Sequence, residues 1–463
     1  MSKQMNTSIK HTLVCAALFS ALGATSQAQA GDAKNVILFI GDGMGPTVLT
    51  ATRLFKVGED GNLEMMKLPR SARIKTFSND AQTTDSAPSM AAYTTGVKMN
   101  NEVIAMSSDT KAVAPGKDVN GNKTVNNCSS DNGKPVPTIL ELAKAAGKSV
   151  GAVTTTELTH ATPAATYAHI CHRDAAYDIA AQAVPGGTGF NQALGDGVDV
   201  LMGGGANHWT PYSASNKGGR NDNRDLTAEM KAQGYSYVTT QSELAKVTSG
   251  KVLGLFSSKS HLDYELDRVA KGAANTQPSL SEMTAKAIDL LSKNSQGYFL
   301  MVEGGRIDHA LHGTNAKRSL TDAVALDEAV KTALGKVDLS NTLIVVTADH
   351  DHTMTINGYS AKGNPVLDLV KNGDGSTQND VDGKPFTTLV FGNGPNRAAV
   401  RPVLTSDQVM ANDYLQETGV KLTSETHGGG DVMLFADGAG SNRFKGTLDN
   451  TKVFGKLREA LGL

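Results

Sequence analysis

Short apolar runs recur along the chain: Asn35 to Ile40, Ser149 to Thr155, Val198 to Gly203, Val252 to Phe256, Tyr298 to Glu303, Leu343 to Val346 and Val432 to Phe435. Runs of this length without polar alternation predict strands buried on both faces, as in a parallel sheet covered by helices. Pro137 to Gly147 and Ser281 to Lys293 predict helices, and a further helix starts near Ile307. Interleaved in this way, the two signals indicate the α/β class. Three of the strands end in or near an acid, at Asp42, Glu303 and Asp349. Open α/β sheets place their ligands at such ends.

Two polar stretches interrupt this rhythm. Met106 to Lys134 reads as an excursion held at one end by Cys128, and Gly358 to Gly419 as a loop-rich insertion or subdomain with scattered short strands. No internal repeat is evident. The first thirty residues carry Lys3 and Lys10, an apolar middle from Thr12 to Ala24, and Ala28-Gln29-Ala30. This order predicts a secretory signal peptide over 1–30, with a single domain over 31–463 and a periplasmic or secreted destination. The apolar part is too short to span a bilayer as a mature helix.

Composition changes the picture only modestly. A hydrophobic content of 39% with interspersed charge fits a globular fold, and the 48 glycines suggest long loops. The net charge of −2 becomes about −4 once the signal lysines are removed, so nothing points to nucleic acid or an anionic membrane. Cys128 and Cys171 survive cleavage, and an exported chain can pair them.

Thr84-Asp85-Ser86-Ala87-Pro88-Ser89-Met90 places a serine beside an acid at the start of a helix, with Pro88 in its first turn. Free N–H groups and the helix dipole there favour an anion, a suitable place to build a phosphoserine. Asp308 and His312, four residues apart on one helical face, can grip one ion. With Asp42, Glu303, Asp349, His350 and His427 they make a set of carboxylates and imidazoles suited to Zn²⁺, while Asp42, Glu303 and the Thr162 hydroxyl suit Mg²⁺. Two ions about 4 Å apart would clamp the attacking and leaving oxygens of an in-line displacement, which implies hydrolytic phosphoryl transfer.

The blocks Gly41-Asp-Gly-Met-Gly, Thr84-Asp-Ser-Ala, His160-Ala-Thr-Pro-Ala, Glu303-Gly-Gly-Arg-Ile-Asp308-His-Ala-Leu-His312, Thr347-Ala-Asp-His-Asp-His352 and Thr426-His-Gly-Gly resemble, in this order, those of the alkaline phosphatases. The resemblance covers essentially the whole mature chain. It implies a three-layer α/β/α sandwich with a largely parallel central sheet, two Zn²⁺ and one Mg²⁺, phosphate monoesters as substrates, and a homodimer. It further implies that Ser86 is the nucleophile and Arg173 the phosphate-binding arginine. One zinc falls to Asp308, His312 and His427, the second to Asp42, Asp349 and His350, and the third ion to Asp42, Thr162 and Glu303. His352 is expected beside a zinc-bound carboxylate, and Asp85 beside the nucleophile, ordering Arg173.

Histidines at 160 and 309 stand where the best-known bacterial pattern has an aspartate and a lysine, and in this resemble the animal enzymes. A nitrogen at His160 could admit Zn²⁺ or Co²⁺ to the third site. His169, His172, His208 and His261 match no role and are read as structural or surface residues. A sulfatase would need an arginine where Met90 stands. A phosphodiesterase of the same superfamily is the nearer rival, and a binding protein without turnover would have no need of Ser86.

Overall fold

The computed structural model describes Met1 and residues 32–463, so the expected signal segment lies outside the described residues apart from Met1. Ten strands form the central sheet: β1 (Asn35–Gly41), β2 (Arg70–Lys75), β3 (Ser149–Glu157), β4 (Val200–Gly204), β5 (Ser236–Val238), β6 (Val252–Leu255), β7 (Tyr298–Gly304), β8 (Thr342–Ala348), β9 (Val432–Gly438) and β10 (Gly446–Asp449). Their order is β10-β2-β9-β8-β1-β7-β3-β4-β6-β5. Only β9 runs antiparallel to its neighbours, β8 and β2. The apolar runs mark the strands, and β1, β7 and β8 bury every residue or all but one; β9 departs from the expectation, alternating buried and half-buried residues as an antiparallel strand with one covered face does.

Helices cover both faces, as the sandwich expectation requires. On one side Pro46–Val57, Leu280–Leu291 and Ala316–Leu334 pack together; on the other, Ser86–Thr95, Ile139–Ala145, Ala161–Tyr167 and Thr451–Leu461 do so. The apolar runs do not predict the nineteen-residue helix Ala316–Leu334. The helix holding Asp308 and His312 stops at Gly313, Thr314 takes a left-handed φ of 57°, and Asn315 caps a fresh start by accepting from the Arg318 amide. Strand β2 also lacks an apolar run, because its sequence Arg-Ser-Ala-Arg-Ile-Lys buries only Ala72 and Ile74.

Register does the work of assembling the site. Gly41 lies opposite both Ala348 and Gly304, and Ile40 opposite Glu303. The three strand-end acids therefore sit side by side, Asp42 between the other two. Within 358–419 the chain is loop-rich and carries a small separate core of Leu369, Leu404 and Val409. Beside it, Met354–Ile356, Leu389–Gly394 and Thr418–Lys421 form a three-stranded sheet.

Cys128 and Cys171 are bonded, with Cα atoms 5.8 Å apart and a separation of 43 positions in sequence. The bond ties the polar excursion to the loop that carries Arg173. In the chain-entropy account, replacing both cysteines with serine is expected to destabilise the protein by up to about 4 kcal/mol. A lowered denaturant midpoint would show this, and an unchanged midpoint would refute it.

Candidate metal centre and active site

Ser86 opens the helix Ser86–Thr95, and Asp85 is its cap, accepting from the Ala87 amide at 2.8 Å. The serine is buried, with Oγ 3.3 Å from Asp42 Oδ1 and 3.1 Å from His350 Nε2. Asp85 also accepts from Arg173 Nη1 at 3.0 Å. One carboxylate thus both caps the helix that carries the hydroxyl and holds the Arg173 guanidinium.

Three histidines are oriented by backbone carbonyls. Nδ1 of His312 donates to Glu425 O at 2.6 Å, that of His427 to Thr84 O at 2.9 Å, and that of His350 to Asp351 O at 3.2 Å. Each ring is left with its lone pair on Nε2, the tautomer that binds a metal. The Nε2 atoms of His312 and His427 lie 3.2 Å apart, and both are within 3.4 Å of Asp308 Oδ1. Converging lone pairs repel unless a cation stands between them.

The carboxylates carry the same signature. Asp42, Glu303, Asp308 and Asp349 are all buried. Burial first, then Asp349, Asp308 and Glu303, raise the Asp42 carboxyl well above the usual range. Burial, aided by Asp349, pushes Glu303 up to about 7. Burial opposes the charge of Asp308 too, but His312, His352 and His427 outweigh it and hold this carboxyl well below the usual range. Asp42 Oδ2, Glu303 Oε1, Asp349 Oδ2 and Thr162 Oγ1 are sealed from solvent and have no hydrogen-bond partner. Orphaned buried oxygens beside unpaired charge are costly, and divalent cations would relieve both. The donor set fits metal ions.

Three groups of ligand atoms lie within 4.8 Å of one another: Asp308, His312, His352 and His427; Asp42, Asp308 and His350; and Asp42, His160 and Glu303. This partition departs from the expected one: Asp308 rather than Asp349 completes the second group, His352 joins the first, and His160 stands with Asp42 and Glu303 in the third. Asp349 stands outside the second group, its Oδ1 accepting from the Gly43 and His350 amides, although its free Oδ2 is 3.5 Å from His350 Nε2. His352 joins the first group, but both of its nitrogens are engaged, Nε2 with Asp308 Oδ1 at 2.7 Å and Nδ1 with Glu425 Oε2 at 2.6 Å. Those two carboxylates overcome burial and raise the imidazolium to about 10. Gly43, at φ +67°, lets the backbone pass this ring, since a Cβ there would come within 2.4 Å of His352 Cδ2.

At the third group, Glu303 accepts from Thr154 Oγ1 and, at 3.3 Å, from Thr156 Oγ1. Arg173 Nη2 donates to His160 Nε2 at 3.1 Å. A metal would therefore have to displace this guanidinium to take that nitrogen. The His309 ring lies 5.2 Å from His160.

Several residues at the site carried no sequence signal. Buried Glu425 fixes His352 and accepts from the Thr353 amide at 2.7 Å. Thr154 and Thr156 lie inside an apolar strand. His261, read from sequence as structural or surface, places its ring 4.2 Å from His309 and 5.5 Å from His160. By contrast, His169 pairs with Glu141 at 2.7 Å and His208 with Thr159 at 2.8 Å, as structural histidines do.

Comparison with known proteins identifies the family. The family model described as alkaline phosphatase matches residues 33–463. The tissue-nonspecific alkaline phosphatase of Gallus gallus is 40% identical over 88% of this chain and 80% of its own length. The alkaline phosphatase of Gadus morhua is 39% identical over 88% and 87%. Among solved structures, the Thermus thermophilus alkaline phosphatase superposes with a TM-score of 0.68 at 26% identity, covering 97% of this chain and 96% of that one. A substituted form of the enzyme from the Antarctic bacterium TAB5, with Mg bound in its M3 site, gives 0.64 at 26% identity, covering 94% and 99%. The chain belongs to the alkaline phosphatase family.

Proposed function

We propose that the protein hydrolyses phosphate monoesters through a phosphoserine on Ser86, with inorganic phosphate as product. The observation that carries this is the buried Ser86 hydroxyl held between Asp42 and His350, at the helix N-terminus that Arg173 faces. Asp42 Oδ1 accepts from the Ser86 hydroxyl, and the one lone pair of His350 Nε2 points at the same oxygen, so a cation held by Asp42 and His350 would lie against the Ser86 oxygen and favour its deprotonated form for attack on phosphorus. Arg173 can take two phosphate oxygens in its fork and neutralise their charge. The ester bond to the alcohol breaks as the bond to Ser86 Oγ forms, and water then releases phosphate from the serine.

Asp308, His312 and His427 would hold one zinc; Asp42, Asp349 and His350 a second; Asp42, Thr162 and Glu303, with His160 alongside, a magnesium ion. Bound there, the metals supply Lewis acidity to the leaving oxygen and lower the pKa of the nucleophile. Asp85 orders Arg173, and His352 holds the Asp308 carboxylate in place. A monoester is expected to be hydrolysed at alkaline pH at least about a hundredfold faster than the corresponding diester, because the second ester group removes one oxygen charge that Arg173 and the metals would meet. Equal rates would favour a phosphodiesterase.

The paired cysteines and the apolar N-terminal stretch support export to the periplasm or medium. Among the described residues, no helix is long and apolar enough to cross a membrane. Segment 358–419, read as an inserted subdomain, exposes Tyr359, Val381, Val400 and Val403. Such residues fit a homodimer interface. Light scattering is expected to give twice the mature chain mass, and a monomer at working concentration would refute the dimer.

A further inference from the structure

Arg306 is two residues from Asp308 but belongs to none of the ligand groups. Its guanidinium carbon lies 3.7 Å from the centre of the Tyr264 ring, a stacked cation–π arrangement. From there Nη1 reaches His309 Nδ1 at 2.8 Å. Nε is buried without an acceptor, so the Tyr264 stack and the His309 bond decide how the group lies. An arginine only donates, so Nδ1 of His309 must be the acceptor. A neutral imidazole has one lone pair, and this bond uses it. The ring proton is therefore on Nε2. No protein atom among the described residues accepts from that nitrogen within hydrogen-bond range, and it is not among the polar atoms sealed from solvent. The ring stands 5.2 Å from that of His160, which itself accepts from Arg173.

We propose that Arg306 is a positioning residue: by donating to His309 Nδ1 it fixes the ring as an Nε2–H donor toward the phosphate bound at Arg173, and so bars His309 from ligating a metal. This rests on the Ser86–Arg173 site described above. It assigns His160 of the third group and its neighbour His309 unlike roles. His160 can exchange the Arg173 bond for a metal, while His309 stays a donor with or without one.

The test uses metal-loaded enzyme with inorganic phosphate as competitive inhibitor. His309→Ala and Arg306→Met are each expected to raise the phosphate inhibition constant about tenfold, the loss typical of one hydrogen bond to a charged acceptor. Combined, they should raise it no further, because both remove the same donor. Arg306→Lys keeps a donor but loses the flat stack on Tyr264, and should raise the constant by less than Arg306→Met does. Nitrogen NMR of ring-labelled histidine, with His309 assigned by the signal lost in His309→Gln, should show Nε2 protonated in the unaltered and Arg306→Lys enzymes. Metal content should be equal in all variants. Multiplying effects of the two substitutions, an unchanged constant in Arg306→Met, or a proton on Nδ1 of His309 would each overturn the proposal. If Arg306→Met fails to fold, the NMR of the unaltered enzyme still decides. Monoester turnover, measured on the same preparations, tests the underlying site separately.

Discussion

Ser86→Ala is expected to lower monoester turnover by about a thousandfold or more while leaving metal content unchanged. The hydroxyl contributes no charge to the ligand groups, and the alanine methyl fits where the buried Cβ already sits. Arg173 and the metals would still bind and polarise the ester, so a residual rate from direct attack by water is expected. A rapid-quench experiment with labelled substrate should trap a phosphorylated serine in the unaltered enzyme at acid pH and none in the variant. Turnover that survives the substitution within tenfold would remove Ser86 from the mechanism. Loss of metal in the variant would instead assign the hydroxyl to holding the ions.

What could be seen in the sequence follows from which forces act locally. The buried parallel strands are legible because each must be apolar on both faces, and their ends locate Asp42, Glu303 and Asp349 without knowledge of tertiary contacts. The Asp308/His312 pair is legible from helical spacing alone. Glu425 is different: a single glutamate in a loop gains its meaning only where the short pairing of Asp351–His352 with His427–Gly428 brings it to His352. His261 is likewise set by packing between segments distant in sequence, whereas Arg306 reaches His309 from one turn away on the same helix and only its stack on Tyr264 is long-range. Strand β2 is masked because it lies near the sheet edge with one face exposed. Asp85 shows how one residue can be legible in part: its capping is a local signal, whereas its bond to Arg173 spans 88 residues.

Stripping the metals with a chelator is expected to reduce activity below about 1% of the starting rate and to make stability depend steeply on pH. Without cations, burial and the charge of Asp349 push Glu303 up to about 7. A carboxyl whose pKa is raised by folding favours the folded state below its unfolded value and loses that advantage as pH rises through the folded value. For Glu303 alone the loss across roughly pH 4.5 to 7 amounts to about 3 kcal/mol. Asp42 and Asp349 are raised as well and act in the same direction. Asp308, held low by its histidines, acts oppositely, and its contribution disappears only in acid. The stripped protein should therefore melt at falling temperatures from about pH 5 to 8, and the metal-loaded protein should not, since each cation favours the ionised carboxylates. Metal binding then strengthens as pH rises, which fits activity under alkaline conditions. Zinc alone should restore only part of the rate, and magnesium the remainder, because the Asp42, Glu303 and Thr162 oxygens suit a hard cation. Full recovery with zinc alone would refute the magnesium role, and undiminished hydrolysis by metal-free protein would refute the metal-dependent site itself.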